Sequence, residues 1–178
     1  MTIKIPALKR PTLAELQKEW SWIKSIEKDD SPTKAVTLEL TTILKDGEDF
    51  ITGSVYEKRR EGLQCLGFQH AQWLLKNQKE FPELMELVGK VYIDFPALVV
   101  VGGGGNRYCP CLDLRGRVFV QEWDWLSGGL VQDGRLAVSG KSALKTSDTS
   151  LSELGRLENR LLELESFREK VEKVLHLP

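Results

Sequence analysis

The stretch from residue 91 to residue 139 constrains the fold more than any other, because it is built of short β-branched and aromatic runs separated by turn signals. Residues 91–101, 107–112 and 117–126 each read as a strand, with four glycines at 102–105 and Asp113-Leu114-Arg115-Gly116 between them. A last hairpin is expected to turn at Asp133-Gly134, between Leu130-Val131 and Leu136-Ala137-Val138. Strands joined by connections this short pair as antiparallel neighbours, so the expectation is an antiparallel β-meander over about 91–139. Asp113-Leu114-Arg115-Gly116 fits a type I turn closed by a glycine bulge, with Asp113 bonding the local backbone. That register places Cys109, Cys111, Phe119, Trp123 and Trp125 on one face and Leu112, Val118 and Val120 on the other; a two-residue turn at Arg115-Gly116 shifts these pairings. Both faces then carry apolar groups, as in a sheet covered on two sides.

Helical signals flank this region. Thr12 and Glu15 form a capping box ahead of Leu13, Leu16, Trp20 and Ile23, which predicts a helix over about 12–28. Ser54 and Glu57 form another, and the apolar face of Leu63, Leu66, Ala71, Trp73, Leu74 and Leu75 predicts a helix to about 78 despite Gly62 and Gly67. Pro82 suits the start of a short helix and Gly89 its end. Residues 33–53 fit two patterns. Val36, Leu38 and Leu40 alternate as in a strand leading to a hairpin at Asp46-Gly47, while Val36, Leu40 and Ile43 fit a helical stripe; the threonines at 37, 41 and 42 favour the strand.

Beyond a Ser/Thr/Lys linker at 141–149, Ser150 and Glu153 open an amphipathic helix over 150–178. With Leu154 at heptad position a, Leu157, Leu161, Leu164, Val171 and Leu175 fall on a and d, and Glu158, Glu165 and Glu172 on e. Arg168 interrupts the repeat, and Phe167 and Val174 widen the stripe. Such a face needs covering, by the chain's own domain or by self-association, because an isolated helix of this length is marginal in water. The expected organisation is an α+β globular domain at 1–140, the linker, and the helix.

Charge removes several function classes. With 25 basic and 26 acidic residues the formal charge is -1, so no global field draws phosphate backbones, and nucleic-acid binding is not supported. No apolar run approaches the ~18 residues of a membrane span, and the N-terminal residues are too broken by Lys and Pro for a signal peptide. Cys65, Cys109 and Cys111 make no disulfide framework, which points to a reducing, cytoplasmic setting.

The candidate chemistry is sparse. Leu98-Val99-Val100-Val101 runs into the glycines as a strand runs into a phosphate loop, but no helix and no Lys-Ser/Thr pair follows, so a hairpin loop is expected. Cys109 and Cys111 lack the paired second motif of a zinc site, and His70 has no nucleophile placed by motif; each reads as a packed side chain, with no metal and no cofactor expected. Lys58-Arg59-Arg60, bracketed by Glu57 and Glu61, reads as a solvated helix face. Asp113, Glu122 and Asp124 on adjacent strands are the set a metal-dependent hydrolase or nuclease would use. Trp123 and Trp125 could stack a ligand or pack a helix. The leading expectation is a non-enzymatic protein-binding or assembly module using the C-terminal helix and the tryptophan face, with a protein partner or a second copy; the alternative is the hydrolase.

Overall fold

A computed structural model of the chain describes residues 3–87, 90–115, 118–126, 128, 130, 131 and 134–140. The linker and the heptad positions Leu154, Leu157, Leu161, Leu164, Val171 and Leu175 lie outside the described residues, as does Asp133 of the expected last hairpin. In chain order the elements are β1 (Ile3–Ile5), α1 (Leu13–Glu19), β2 (Ile23–Asp29), β3 (Val36–Thr41), β4 (Phe50–Ile51), α2 (Gly53–Arg59), α3 (Phe68–Asn77), α4 (Pro82–Met85), β5 (Tyr92–Asp94), β6 (Leu98–Gly102), β7 (Arg107–Arg115), β8 (Val118–Trp125), β9 (Leu130–Val131) and β10 (Gly134–Ser139). Short 3-10 turns occupy Gln78–Glu80 and Gly103–Gly105.

The fold is α+β, but its sheet is mixed rather than an antiparallel meander. Eight strands run in the order β1-β3-β10-β5-β7-β6-β2, with β8 on the other side of β7. β9 and β10 do not form the expected hairpin: β9 pairs β4 in a separate two-stranded sheet, while β10 lies parallel to β5 and antiparallel to β3. Strand alternation on β10 explains this partnership. Leu136 and Val138 join one core and Ala137 the opposite one, so both faces of β10 are buried and it belongs inside a sheet, not at a hairpin edge.

The centre of the sheet is a fork. β5 and β6 lie end to end along the same edge of β7, yet six positions separate Asp94 from Val100 where only three separate their partners Cys111 and Tyr108. Two prolines meet at this point. Phe95 N donates to Pro110 O at 2.8 Å, after which neither Pro96 nor Pro110 has an N–H to carry the ladder on. The chain bulges out, β5 turns to β10 and β6 turns to β2. Residues 64–66 fill the gap: Ala97 N donates to Leu66 O (3.0 Å), Leu66 N to Ala137 O (2.8 Å) and Ser139 N to Gln64 O (2.9 Å).

Both faces of the sheet are covered. On one, α3 and α4 pack Ala71, Leu74 and Leu84 against Ile3, Ile5, Ile93, Phe95, Leu112 and Phe119, and α1 adds Leu16 against Leu98 and Val100. On the other, α2 and the β4–β9 pair set Tyr56 and Ile51 against Val99, Cys109, Leu136 and Val138. Each fully buried side chain of this size contributes about 1.5–3 kcal/mol. The run at 98–100 is apolar without alternation because its neighbours project into opposite cores.

The two long expected helices are both shorter and interrupted. The Thr12 capping box is present, with Glu15 N donating to Thr12 Oγ1 (3.3 Å) and Thr12 N to Glu15 Oε2 (2.7 Å), but α1 stops at Glu19 and residues from Ile23 pair with β6 instead. The second breaks into α2 and α3. Gly62 takes φ +81°, Cys65 bridges to Val138, and Gly67 lies so close to Ser31 that a Cβ there would sit 1.8 Å from Ser31 Oγ. The Ser54–Glu57 box is not formed; Thr52 stands at the cap of α2, and its side chain meets Ser54 Oγ at 3.3 Å rather than a main-chain N–H of the helix. Residues 36–41 are the strand their threonines favoured, though β3 pairs β1 and β10 rather than β4.

Candidate functional site

The β7–β8 register decides which side chains can act together. Arg115 pairs with Val118 and Asp113 with Val120, so Asp113 is a strand residue and not the turn residue expected. The face assignment changes with it. Cys109 lies opposite Asp124 and Cys111 opposite Glu122, while Tyr108, Pro110, Leu112 and Leu114 lie opposite Trp125, Trp123, Gln121 and Phe119. Residues directly opposite share a face. The cysteines therefore stand with the carboxylates Asp113, Glu122 and Asp124, and the tryptophans are on the other side.

Asp94 joins the carboxylate face, since it pairs with Cys111 across β7. It is fully buried; Oδ2 accepts a bond from Tyr56 Oη at 3.1 Å, and Oδ1 has no partner among the described residues. Burial, then the nearby Asp124 charge, pushes its carboxyl well above the usual range, which favours the neutral acid. Tyr56 is raised as well, by burial and by Asp94. Burial first, and Asp113 after it, raises Asp124, whose Oδ1 accepts from Trp125 N at 2.8 Å. The three cysteines are free and buried; Cys65 is pushed up to about 11 by burial, and Cys109 and Cys111 rise for the same reason. These are thiols, not nucleophilic thiolates. Among the described residues no group of three His, Cys, Asp or Glu side chains could hold a metal ion.

Next to this face, at the fork, opens a cleft of about 500 Å3 walled by Lys28, Glu57, Arg60, Glu61, Cys65 and Arg107 together with Pro96 and Ala97. A chain of charges crosses it. Arg107 holds Glu27 with two bonds (2.6 and 2.8 Å) and reaches Glu57 at 2.8 Å, linking β7 to β2 and α2. Arg60 is not on a solvated helix face as expected: its side chain is 11% exposed, it donates to Pro96 O at 2.5 Å, and its guanidinium lies 5.8 Å from the Tyr56 ring centre. Arg59 instead pairs with Glu48, which it draws down to about 2.

The tryptophans divide. Trp123 is enclosed by rings, stacked on Phe68 (6.0 Å) and edge-on to Trp20 (5.5 Å) and Trp22 (5.7 Å). Trp125 is 49% exposed. β8 has no strand on its outer side among the described residues. Its first outward pair of main-chain groups is closed by a side chain: Gln78 Oε1 accepts from Phe119 N (2.9 Å) and its Nε2 donates to Phe119 O (3.3 Å). His70, a packed residue, is fully buried, its Nδ1 accepting from Gly67 N at 3.2 Å; burial brings it down to about 4. The described residues contain no helix long and apolar enough to cross a membrane.

Comparison with known proteins finds no matching family model, curated protein or solved structure. The chemistry of the site therefore rests on the residues themselves. Sequence reading missed Tyr56, Asp94, Arg60 and Arg107. Only Asp94 carried a signal there: it is the one carboxylate inside an otherwise apolar strand, Val91-Tyr92-Ile93-Asp94-Phe95.

Proposed function

We propose that this protein is a binding and assembly module that engages a second copy of itself, or another protein, through the heptad segment and the outer strand β8. The observation that carries this reading is the exposure of Trp125 at 49% on a strand with no outer neighbour among the described residues. Large aromatic side chains left half in water at a strand edge are the anchors that interfaces use. The leucine repeat from Leu154 to Leu175 supplies a second apolar face in the sequence. Sedimentation of the full chain over about a hundredfold range of concentration tests the reading, because assembly follows mass action. The parent is expected to sediment above the monomer mass, or to bind a partner protein as a monomer. Replacing Leu157 and Leu164 together by Glu, or Trp125→Ala, weakens either association. A chain whose sedimentation and partner binding are indifferent to all of these changes refutes the proposal.

A further inference from the structure

A second hollow, of about 380 Å3, is walled by α1 and α3 and lined by three half-buried rings, Trp20, Phe68 and Trp73. Other ring contacts hold these side chains in place. Trp20 stands edge-on to Phe68 at 5.3 Å and to Trp123 at 5.5 Å, Phe68 stacks on Trp123, and Trp73 leans on Phe81 at 5.7 Å. Rings already ordered lose little entropy when a ligand covers them.

The polar groups of the groove narrow the ligand. Gln69 and Gln72 direct their amide N–H groups to Pro32 O (3.5 Å) and Gln121 Oε1 (3.4 Å), and Glu15 is engaged by Thr12 at 2.7 and 2.8 Å. The indole N–H groups of Trp20 and Trp73 have no hydrogen-bond partner among the described residues, and neither is shut away from solvent as that of Trp123 is. An indole only donates, so the groove offers apolar ring surface and two open donors. Its charges cancel, Glu15 and Glu19 against Lys9 and Lys76, which leaves no net attraction for a polyanion or a lone cation.

A complementary ligand is therefore neutral, apolar and rich in free acceptors. A helix bonds its carbonyls internally, and an extended strand would bring N–H groups that find no sheet edge between two helices. A polyproline II segment meets every condition: its carbonyls are free, its prolines have no N–H to leave unpaired, and its conformation is already formed in water. From this complementarity we propose that the groove binds a proline-rich peptide, with prolines against Trp20, Phe68 and Trp73 and main-chain carbonyls on the two indole N–H groups. Rigid aromatic surfaces are a recurring means of recognising this conformation. No residue lining the groove belongs to β8 or to the heptad segment, so the inference stands or falls apart from the assembly reading.

Fluorescence anisotropy of labelled decaproline, titrated with the full chain to millimolar concentration, tests the proposal. Decaproline binds saturably, and a glycine-serine peptide of the same length and label does not. Trp73→Phe keeps a ring beside Phe81 and removes only the N–H, so it weakens binding about fivefold, the usual worth of one hydrogen bond. Trp73→Ala removes the ring and abolishes binding, and the phenylalanine variant keeps the test decisive if the alanine variant does not fold. No binding of decaproline, equal binding of the glycine-serine peptide, or an affinity indifferent to Trp73→Phe overturns the proposal.

Discussion

Replacing Asp94 by Asn should stabilise the protein near neutral pH, by an amount that grows with pH. The side chain is fully buried, its ionised form would hold a single hydrogen bond from Tyr56, and Oδ1 has no partner among the described residues. Burial raises the folded-state value above that of the unfolded chain. The sign follows directly: below the unfolded value both states are protonated and ionisation contributes nothing to stability, whereas above it the folded state binds one more proton than the unfolded state. Stability is then lost as pH rises toward the folded value, at about 1.4 kcal/mol per pH unit. Asn cannot ionise, and its Oδ1 can still accept from Tyr56. The difference in unfolding free energy between Asp94→Asn and the parent should climb with pH above ~4 until the raised folded-state value is reached. Urea unfolding of both chains at several pH values between about 4.5 and 7 measures it, provided each transition is two-state. A difference that does not change with pH refutes the reasoning, because it would mean that Asp94 ionises as freely folded as unfolded.

Three further outcomes follow from single contacts. His70→Gln should flatten the acid limb of stability: a folded value of about 4 against 6.5 means that stability is fully present above 6.5 and is lost as pH falls toward 4, up to about 3 kcal/mol in all, and urea midpoints across that window read it. Because the His70 and Asp94 slopes oppose each other in this range, each must be taken as a difference from its own variant. Gly67→Ala should destabilise by about 1–3 kcal/mol, since its Cβ would lie 1.8 Å from Ser31 Oγ and 2.9 Å from Ser31 Cβ, and adding Ser31→Gly should recover most of the loss in the same unfolding assay. Gln78→Ala should cost about 1–3 kcal/mol by leaving the buried Phe119 N–H and C=O without partners, and should speed amide exchange at Phe119 far more than at Val99 in the sheet centre.

Local rules located the pieces of this fold better than their partners. The Thr12 box, the Pro82 start and the glycine loop at 103–105 are set by neighbouring residues, and each was legible because its physics spans only a few positions. Gly104 and Gly105 take φ near +80°, which a tight turn there requires. The failures are all long-range. Residues 23–29 carry a helical stripe, yet the open edge of β6 offers them a ladder, and pairing overrides propensity. The break at 60–67 likewise comes from the fork, where residues 64–66 satisfy main-chain groups of Ala97, just ahead of β6, and of Ala137 and Ser139 in β10 that no local pattern reveals.

The candidate site depended on one turn. Reading Asp113-Leu114-Arg115-Gly116 as a bulged turn put the cysteines with Trp123 and Trp125; pairing Arg115 with Val118 puts them with Glu122 and Asp124. Side chains alternate along a strand, so a change of one residue in register exchanges the two faces entirely. The stronger signal was Asp94. A carboxylate flanked by Ile93 and Phe95 in a buried strand is tolerable only if it is neutral or partnered, and both conditions require groups from elsewhere. Tyr56 arrives from a helix 38 residues earlier, and Asp124 from β8, on the far side of β7. Burial makes the neutral acid, Tyr56 fixes its direction, and the orphaned Oδ1 makes the arrangement costly. A polar group kept at such a cost inside an apolar strand marks a position to test before any of the exposed carboxylates.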